Sequence, residues 1–174
     1  MNDCSRAIKL IFPVTLACLA AFHFFLFLWG PLLAISHDEL NFLYEALRLP
    51  AEGRIGGYEH GPLFFELIAL LESGWYILLR ALGRVQSTEQ FLVHILSDIS
   101  THLHVIRILT AVAAMATVIS VYRLGLLFGG PAAASLASLL CAANLTFTVM
   151  TTFAKEDAFY WALTLLAMER AWDA

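Results

Sequence analysis

The chain has 174 residues, 60% of them hydrophobic and only 14% charged, with ten Lys and Arg against fourteen Asp and Glu for a formal net charge of -4. A soluble domain averages about 45–50% apolar and about 25% charged residues, so an ordinary water-soluble protein is excluded, and so is a disordered one, which needs low hydrophobicity and high charge. The acidic balance lacks the basic footprint of a nucleic-acid binder, and the three widely spaced cysteines (Cys4, Cys18, Cys141) suggest neither a disulfide framework nor a zinc site.

The first apolar run extends from Leu10 to Ser36 without a formal charge. About 20 such residues cross a bilayer, which predicts a first span over 10–35. Arg6 and Lys9 precede it and keep the N-terminus cytoplasmic. The run is too long for the core of a cleaved signal peptide and no A-x-A site closes it, so the helix is expected to remain uncleaved.

Residues 36–105 form a long extracytoplasmic loop in this reading. The loop holds nine of the acids: Asp38, Glu39, Glu45, Glu52, Glu59, Glu66, Glu72, Glu89 and Asp98. Leu40, Leu43 and Leu47 share a helical stripe, a pattern that suits a short surface helix ended by Pro50. A Gly-rich turn over 53–61 follows. Pro62 is well placed to open a helix over about 62–82. Glu66, Glu72, Arg80 and Arg84 favour an interfacial helix there, with a true span as the alternative. Residues 85–104, with His94, His102 and His104, read as an inserted loop. His102 and His104, two apart, do not share a helical face and are read as ordinary loop or interface residues.

Arg107 opens a second span over 106–127, and Gly129-Gly130-Pro131 breaks the chain. A third span over 132–153 follows. A fourth helix over 157–172 is barely long enough to cross and reads as truncated. The fold class is therefore an all-α membrane protein with about four transmembrane helices and one long first loop carrying interfacial helices. Helices are the expected spanning form because backbone groups in lipid must be paired internally. His23, amid Phe22, Phe24 and Phe25, is expected to pack as a neutral side chain between helices.

Three polar clusters interrupt the apolar pattern. Ser36-His37-Asp38-Glu39 follows the first span, Tyr58-Glu59-His60-Gly61-Pro62 precedes a helix, and Lys155-Glu156-Asp157 separates two apolar segments. Each also reads as a helix cap or a solvated turn. Counting spans outward, inward and outward puts all three on one side of the membrane, which lifts a functional reading above capping.

The order of these features resembles the N-terminal part of the GT-C glycosyltransferases. It runs from a span through an Asp-Glu pair, a Gly-rich turn, His-x-Pro and an Arg opening a span to an acid opening the last helix. The stretches HDEL…YE and YEHGPLFFELIALL are similar to the branch of protein O-mannosyltransferases and bacterial lipid A aminoarabinose transferases. The resemblance covers about residues 10–172. It implies a catalytic base or its close support at Asp38, a second acid at Glu39 and another at Asp157. Glu59, His60 and Arg107 fall on positions that bind substrate. Asp38, Glu59 and His60 are the candidates to hold a divalent metal, the one cofactor the resemblance admits.

The activity so implied moves a sugar from a polyprenyl-phosphate donor to an acceptor hydroxyl on the extracytoplasmic face of the plasma (inner) membrane. A carboxylate takes the hydroxyl proton, and cationic groups or a metal stabilise the leaving phosphate. Membrane lipid and the lipid-linked donor are then the partners, and the chain is a fragment of a longer enzyme. The alternative is a non-catalytic scaffold or accessory subunit with the same architecture. A channel or transporter fits less well, because the second and third spans carry no ionisable residue at their centres.

Overall fold

The computed structural model describes residues 3–33, 43–47, 62–152 and 156–173, and among these every regular element is helical. The elements are α1 (Asp3–Leu33), a short turn of helix α2 (43–47), α3 (Pro62–Ala81), α4 (Thr88–Ser97), α5 (Ile99–Ala143), α6 (Leu145–Thr152) and α7 (Glu156–Asp173). The chain divides into two compact units, one of Met1–Trp29 with Leu109–Ala174, the other of Gly30–Ile108. Among the described residues, one helix, Ile99–Ala143, is long and apolar enough to cross a membrane, and Leu10–Phe25 is a shorter apolar stretch.

Local chemistry explains the boundaries in the Gly30–Ile108 unit. Pro62 opens α3 as its sequence position predicts. The helix closes in a Schellman turn, in which Gly83 N–H donates to Arg80 O and Arg84 N–H to Leu79 O, with Gly83 at φ +69°. That left-handed conformation suits glycine, which lacks the Cβ that would clash. Ser87 caps α4 by accepting from Gln90 N–H at 3.3 Å, while the Gln90 side chain accepts from Gln86 N–H at 2.7 Å. These reciprocal bonds satisfy donors that the first turn of a helix leaves open.

Residues 85–104 are thus not the loop that composition suggests. They form α4 and the opening turns of α5, hinged at Asp98, whose backbone N–H ends α4 on His94 O. The Asp98 carboxylate then accepts from Thr101 Oγ1 at 2.6 Å and Ser100 Oγ at 2.8 Å to start α5. Caps at Ser87 and Asp98 start the two helices that cover these residues.

In the other unit, α5 reverses direction at Gly130, where φ is +71°. A Cβ built at Gly125 would lie 2.6 Å from the Ala134 Cα, so the arms before and after the break touch along a glycine-alanine seam. The expected second span over 106–127 begins earlier, at Ile99, and runs to the break. The expected third span over 132–153 is not continuous. It is interrupted at Asn144, which separates α5 from α6. There the Asn144 side-chain oxygen accepts from Phe147 N–H at 2.9 Å and caps the new helix.

Helix directions in this unit follow from side-chain contacts. Phe12 stacks on Tyr122 with ring centroids 3.8 Å apart, and Leu19, further along α1, clusters with Ala114 and Val118. As α1 advances, α5 recedes, so the two are antiparallel. Arg123 bonds Glu169 at 2.7 Å and Phe128 meets Trp172 at 4.9 Å, so α7 runs parallel to the first arm of α5. The Phe147 ring stacks on Trp161 at 6.1 Å.

Many buried positions here are small or hydroxylated, among them Ala113, Ala114, Thr117, Ala134, Ser135, Ser138, Ala158 and Ala162, alongside the larger Leu19, Val118 and Phe147. Large apolar side chains such as Phe24, Val112, Phe128, Leu136 and Leu140 face outward. Thr117 and Ser138 hydroxyls donate to the carbonyls of Ala113 and Ser135 within the same helix, which satisfies them at no cost in space.

Two measurements check this account. Gly125→Ala should destabilise the solubilised protein by about 1–3 kcal/mol, because the new methyl meets a neighbouring backbone that a side-chain rotation does not relieve; denaturant unfolding reads it. The second concerns Asp98, whose carboxyl is held below the usual carboxylate range by the Thr101 and then the Ser100 hydroxyl. Its stabilisation is complete above the unfolded pKa of about 4 and fades as pH falls through the lower folded value. Asp98→Ala should therefore cost about 1 kcal/mol at pH 7, with the gap to wild type narrowing below about pH 4; amide exchange of residues 100–103 would follow it.

Candidate functional site

The core of the Gly30–Ile108 unit forms where α2, α3, α4 and the start of α5 meet. On α3, Phe64, Phe65, Ile68 and Leu79 are buried, and the 3.6-residue repeat carries Glu72 onto the same face. On α4, Phe91 and Ile95 are buried, four residues apart. On α5, His102, Leu103 and Ile106 are buried, the histidine with no exposed surface.

At the centre, His102 Nδ1 lies 2.7 Å from Glu72 Oε2, with exposures of 0% and 2%. The imidazole packs among aromatic rings, with Phe91 at 5.9 Å and His94 at 5.9 Å, both edge-on. Tyr76 meets Phe91 at 5.2 Å. The apolar surround strengthens the bond between the pair and raises the cost of leaving either partner alone. The second oxygen of Glu72 and the second nitrogen of His102 are buried and have no hydrogen-bond partner among the described residues.

Glu72 and His102 were assigned other places by sequence pattern, the first on an interfacial helix and the second in a loop. The available signal was spacing. Glu72 follows Phe65 and Ile68 at seven and four residues, and His102 precedes Ile106 by four. Each interrupts an otherwise apolar helical stripe. His104 Nδ1 bonds Ser100 O one turn back on α5, whereas His102 bonds Glu72.

Of the residues assigned by resemblance, Asp38, Glu39, Glu59 and His60 lie outside the described residues. Arg107 is buried on α5, 7% exposed, in the Gly30–Ile108 unit. Asp157 is exposed near the start of α7, in the other unit. Twelve residues separate Asp157 from Glu169, which puts about 18 Å of helix between it and the Arg123–Glu169 pair at ~1.5 Å per residue. Among the described residues no group of three His, Cys, Asp or Glu side chains is placed to hold a metal ion. The metal candidates Asp38, Glu59 and His60 all fall outside those residues.

His23 is buried, as expected for a histidine packed between helices. Its ring meets Phe22 edge-on at 5.8 Å, and its Nε2 has no hydrogen-bond partner.

No family model, curated protein or solved structure matches this chain.

Removing one member of the buried pair leaves an uncompensated polar group. Glu72→Leu or His102→Leu alone should cost about 3–5 kcal/mol, whereas the double Leu variant should lose markedly less than the sum. A double-mutant cycle by denaturant unfolding measures the coupling.

Proposed function

We propose that the chain corresponds to the N-terminal membrane part of a GT-C type glycosyltransferase, in the O-mannosyltransferase and aminoarabinose-transferase branch. It moves a sugar from a polyprenyl-phosphate donor to an acceptor hydroxyl on the outer face of the inner membrane. Four spans with a cytoplasmic N-terminus make up this topology.

Packing supports a lipid setting. Many of the residues between the helices of the Met1–Trp29 and Leu109–Ala174 unit are small, alongside the larger Leu19, Val118 and Phe147, and many large apolar ones face outward. Helices in lipid gain little from burying leucine and much from close backbone approach, so this distribution suits a bilayer.

The observation that carries the reading is the position of Asp157. Arg123, Glu169, Arg170 and Trp172 gather towards one end of α7, and Phe12, near the start of α1, stacks on Tyr122 at that same end of the first arm of α5. Asp157 opens α7 at the opposite end, the end towards which α1 runs. With Arg6 and Lys9 inside, Asp157 falls outside in this reading, the side on which the proposed topology also puts Asp38.

In the proposed chemistry Asp38, supported by Glu39, accepts the proton of the acceptor hydroxyl as the oxygen attacks the sugar carbon and the phosphate departs. Arg107 carries a positive charge for the departing phosphate, and its burial keeps that charge from being screened by water. Glu59 and His60 help bind the donor, and with Asp38 they would hold a divalent metal, which would supply further positive charge at the phosphate. Asp157 contributes the second acid at the rim.

The test is transfer from a polyprenyl-phosphate sugar by membranes carrying the full protein. Asp38→Asn should lower transfer by about 10²- to 10⁴-fold while insertion is unchanged. Single cysteines beside positions 38 and 157 should react with an impermeant thiol reagent from the outside only. Unchanged transfer in Asp38→Asn, or labelling of the two positions from opposite sides, would overturn the reading and leave the scaffold alternative.

A further inference from the structure

The buried carboxylate of Glu72 also borders a cleft of about 240 Å³ between α2, α3 and α4. The walls include Leu47 and Leu92, the rings of Tyr76 and Phe91, and the hydroxyl-bearing Ser73. The volume lies below the ~300–1,000 Å³ of drug-sized sites, so the occupant is small.

Glu72 is 2% exposed, and among the described residues one of its two oxygens is used, by His102. Ser73 does not serve the other, because its hydroxyl donates to Ala69 O at 2.7 Å. A buried carboxylate oxygen without a donor is costly. When the carboxylate is ionised and the imidazole neutral, the negative charge of Glu72 has no compensating charge in the pair. Protonating the ring would supply the charge but would leave an N–H at Nε2 without an acceptor, since that atom too has no partner. A cation seated in the cleft would lie beside this carboxylate and balance its charge.

The walls narrow the choice of cation. Tyr76 and Phe91 line the cleft, and aromatic rings attract organic cations. Apolar side chains favour a cation with a hydrocarbon body over a hydrated inorganic one. A metal ion is disfavoured because the described residues bring no third His, Cys, Asp or Glu to the pair.

We infer that the cleft between α2, α3 and α4 binds a small primary alkylammonium group, with Glu72 as its anionic acceptor and His102 as the residue that positions the carboxylate. The site stands whether or not the chain transfers sugar, because none of its residues belongs to the proposed transferase set.

The full chain in detergent micelles, labelled with ¹⁵N-histidine, tests this with n-butylammonium as probe and 1-butanol as the neutral match. Butylammonium should shift the His102 ring resonances saturably, with the alcohol at least tenfold weaker. Glu72→Gln should weaken butylammonium binding at least tenfold. Leu92→Trp, which fills the cleft and leaves the pair intact, should do the same, and it carries the test if Glu72→Gln fails to fold. No saturable shift, equal binding by the alcohol, or undiminished binding by Leu92→Trp would each overturn the assignment. Asp38→Asn should bind butylammonium like wild type, which separates this result from the outcome of the transfer assay.

Discussion

The hydrogen bond between Glu72 and His102 ties α3 to α5 in the Gly30–Ile108 unit, and the rings packed on it bring in α4. It crosses thirty residues of chain and has almost no access to water. Apolar packing alone would let α3 rotate or slide against α5 at little cost, because leucine-rich faces are tolerant of register. A buried acid bonded to a buried imidazole is not tolerant, since any slip strands both groups. The position of α4 follows, because Phe91 and His94 close over the imidazole. The caps at Ser87 and Asp98 keep α4 short enough to fit.

The Met1–Trp29 and Leu109–Ala174 unit is held by a different constraint. Its helices approach closely, through alanine, serine, threonine and glycine, and its hydroxyls are turned back onto their own backbones. The reversal at Gly130 makes this possible by folding a 45-residue helical run onto itself, and Gly125 gives the arms room to touch. The Arg123–Glu169 pair is different in kind from the one at Glu72. Its arginine is 54% exposed and the carboxylate 5%, so water offsets the charge on one side only. A pair half open to solvent contributes little to stability, but it sets which end of α7 lies beside Tyr122 and Phe128. That choice of direction is what places Asp157 at the far end.

Much of the helical outline was legible from local chemistry. Pro62 as a helix opener and Gly129-Gly130-Pro131 as a break are rules of backbone geometry that hold without knowledge of neighbours. The start of α5 at Ile99 was missed because 85–104 mixes histidines and polar residues with a weak apolar repeat, and the decisive caps are single side chains. The interruption at Asn144 was missed because one polar residue in an apolar run does not reveal whether it will cap a helix or lie along one. The buried role of Glu72 was missed because acids on an apolar helix usually mark the water-facing side.

Composition and hydropathy by themselves determined that the protein is helical and built from long apolar segments, because these depend on side-chain transfer energies and backbone rules that act locally. They also marked the break at Gly130, where only a residue without Cβ fits comfortably. Tertiary structure decided which polar groups are inside, which way each helix runs against its neighbour and where a run is interrupted. Those outcomes depend on partners distant in the chain: Glu72 needs His102, Phe12 needs Tyr122, and Glu169 needs Arg123. Periodicity can place a residue on a face, but it carries no information about what that face will meet.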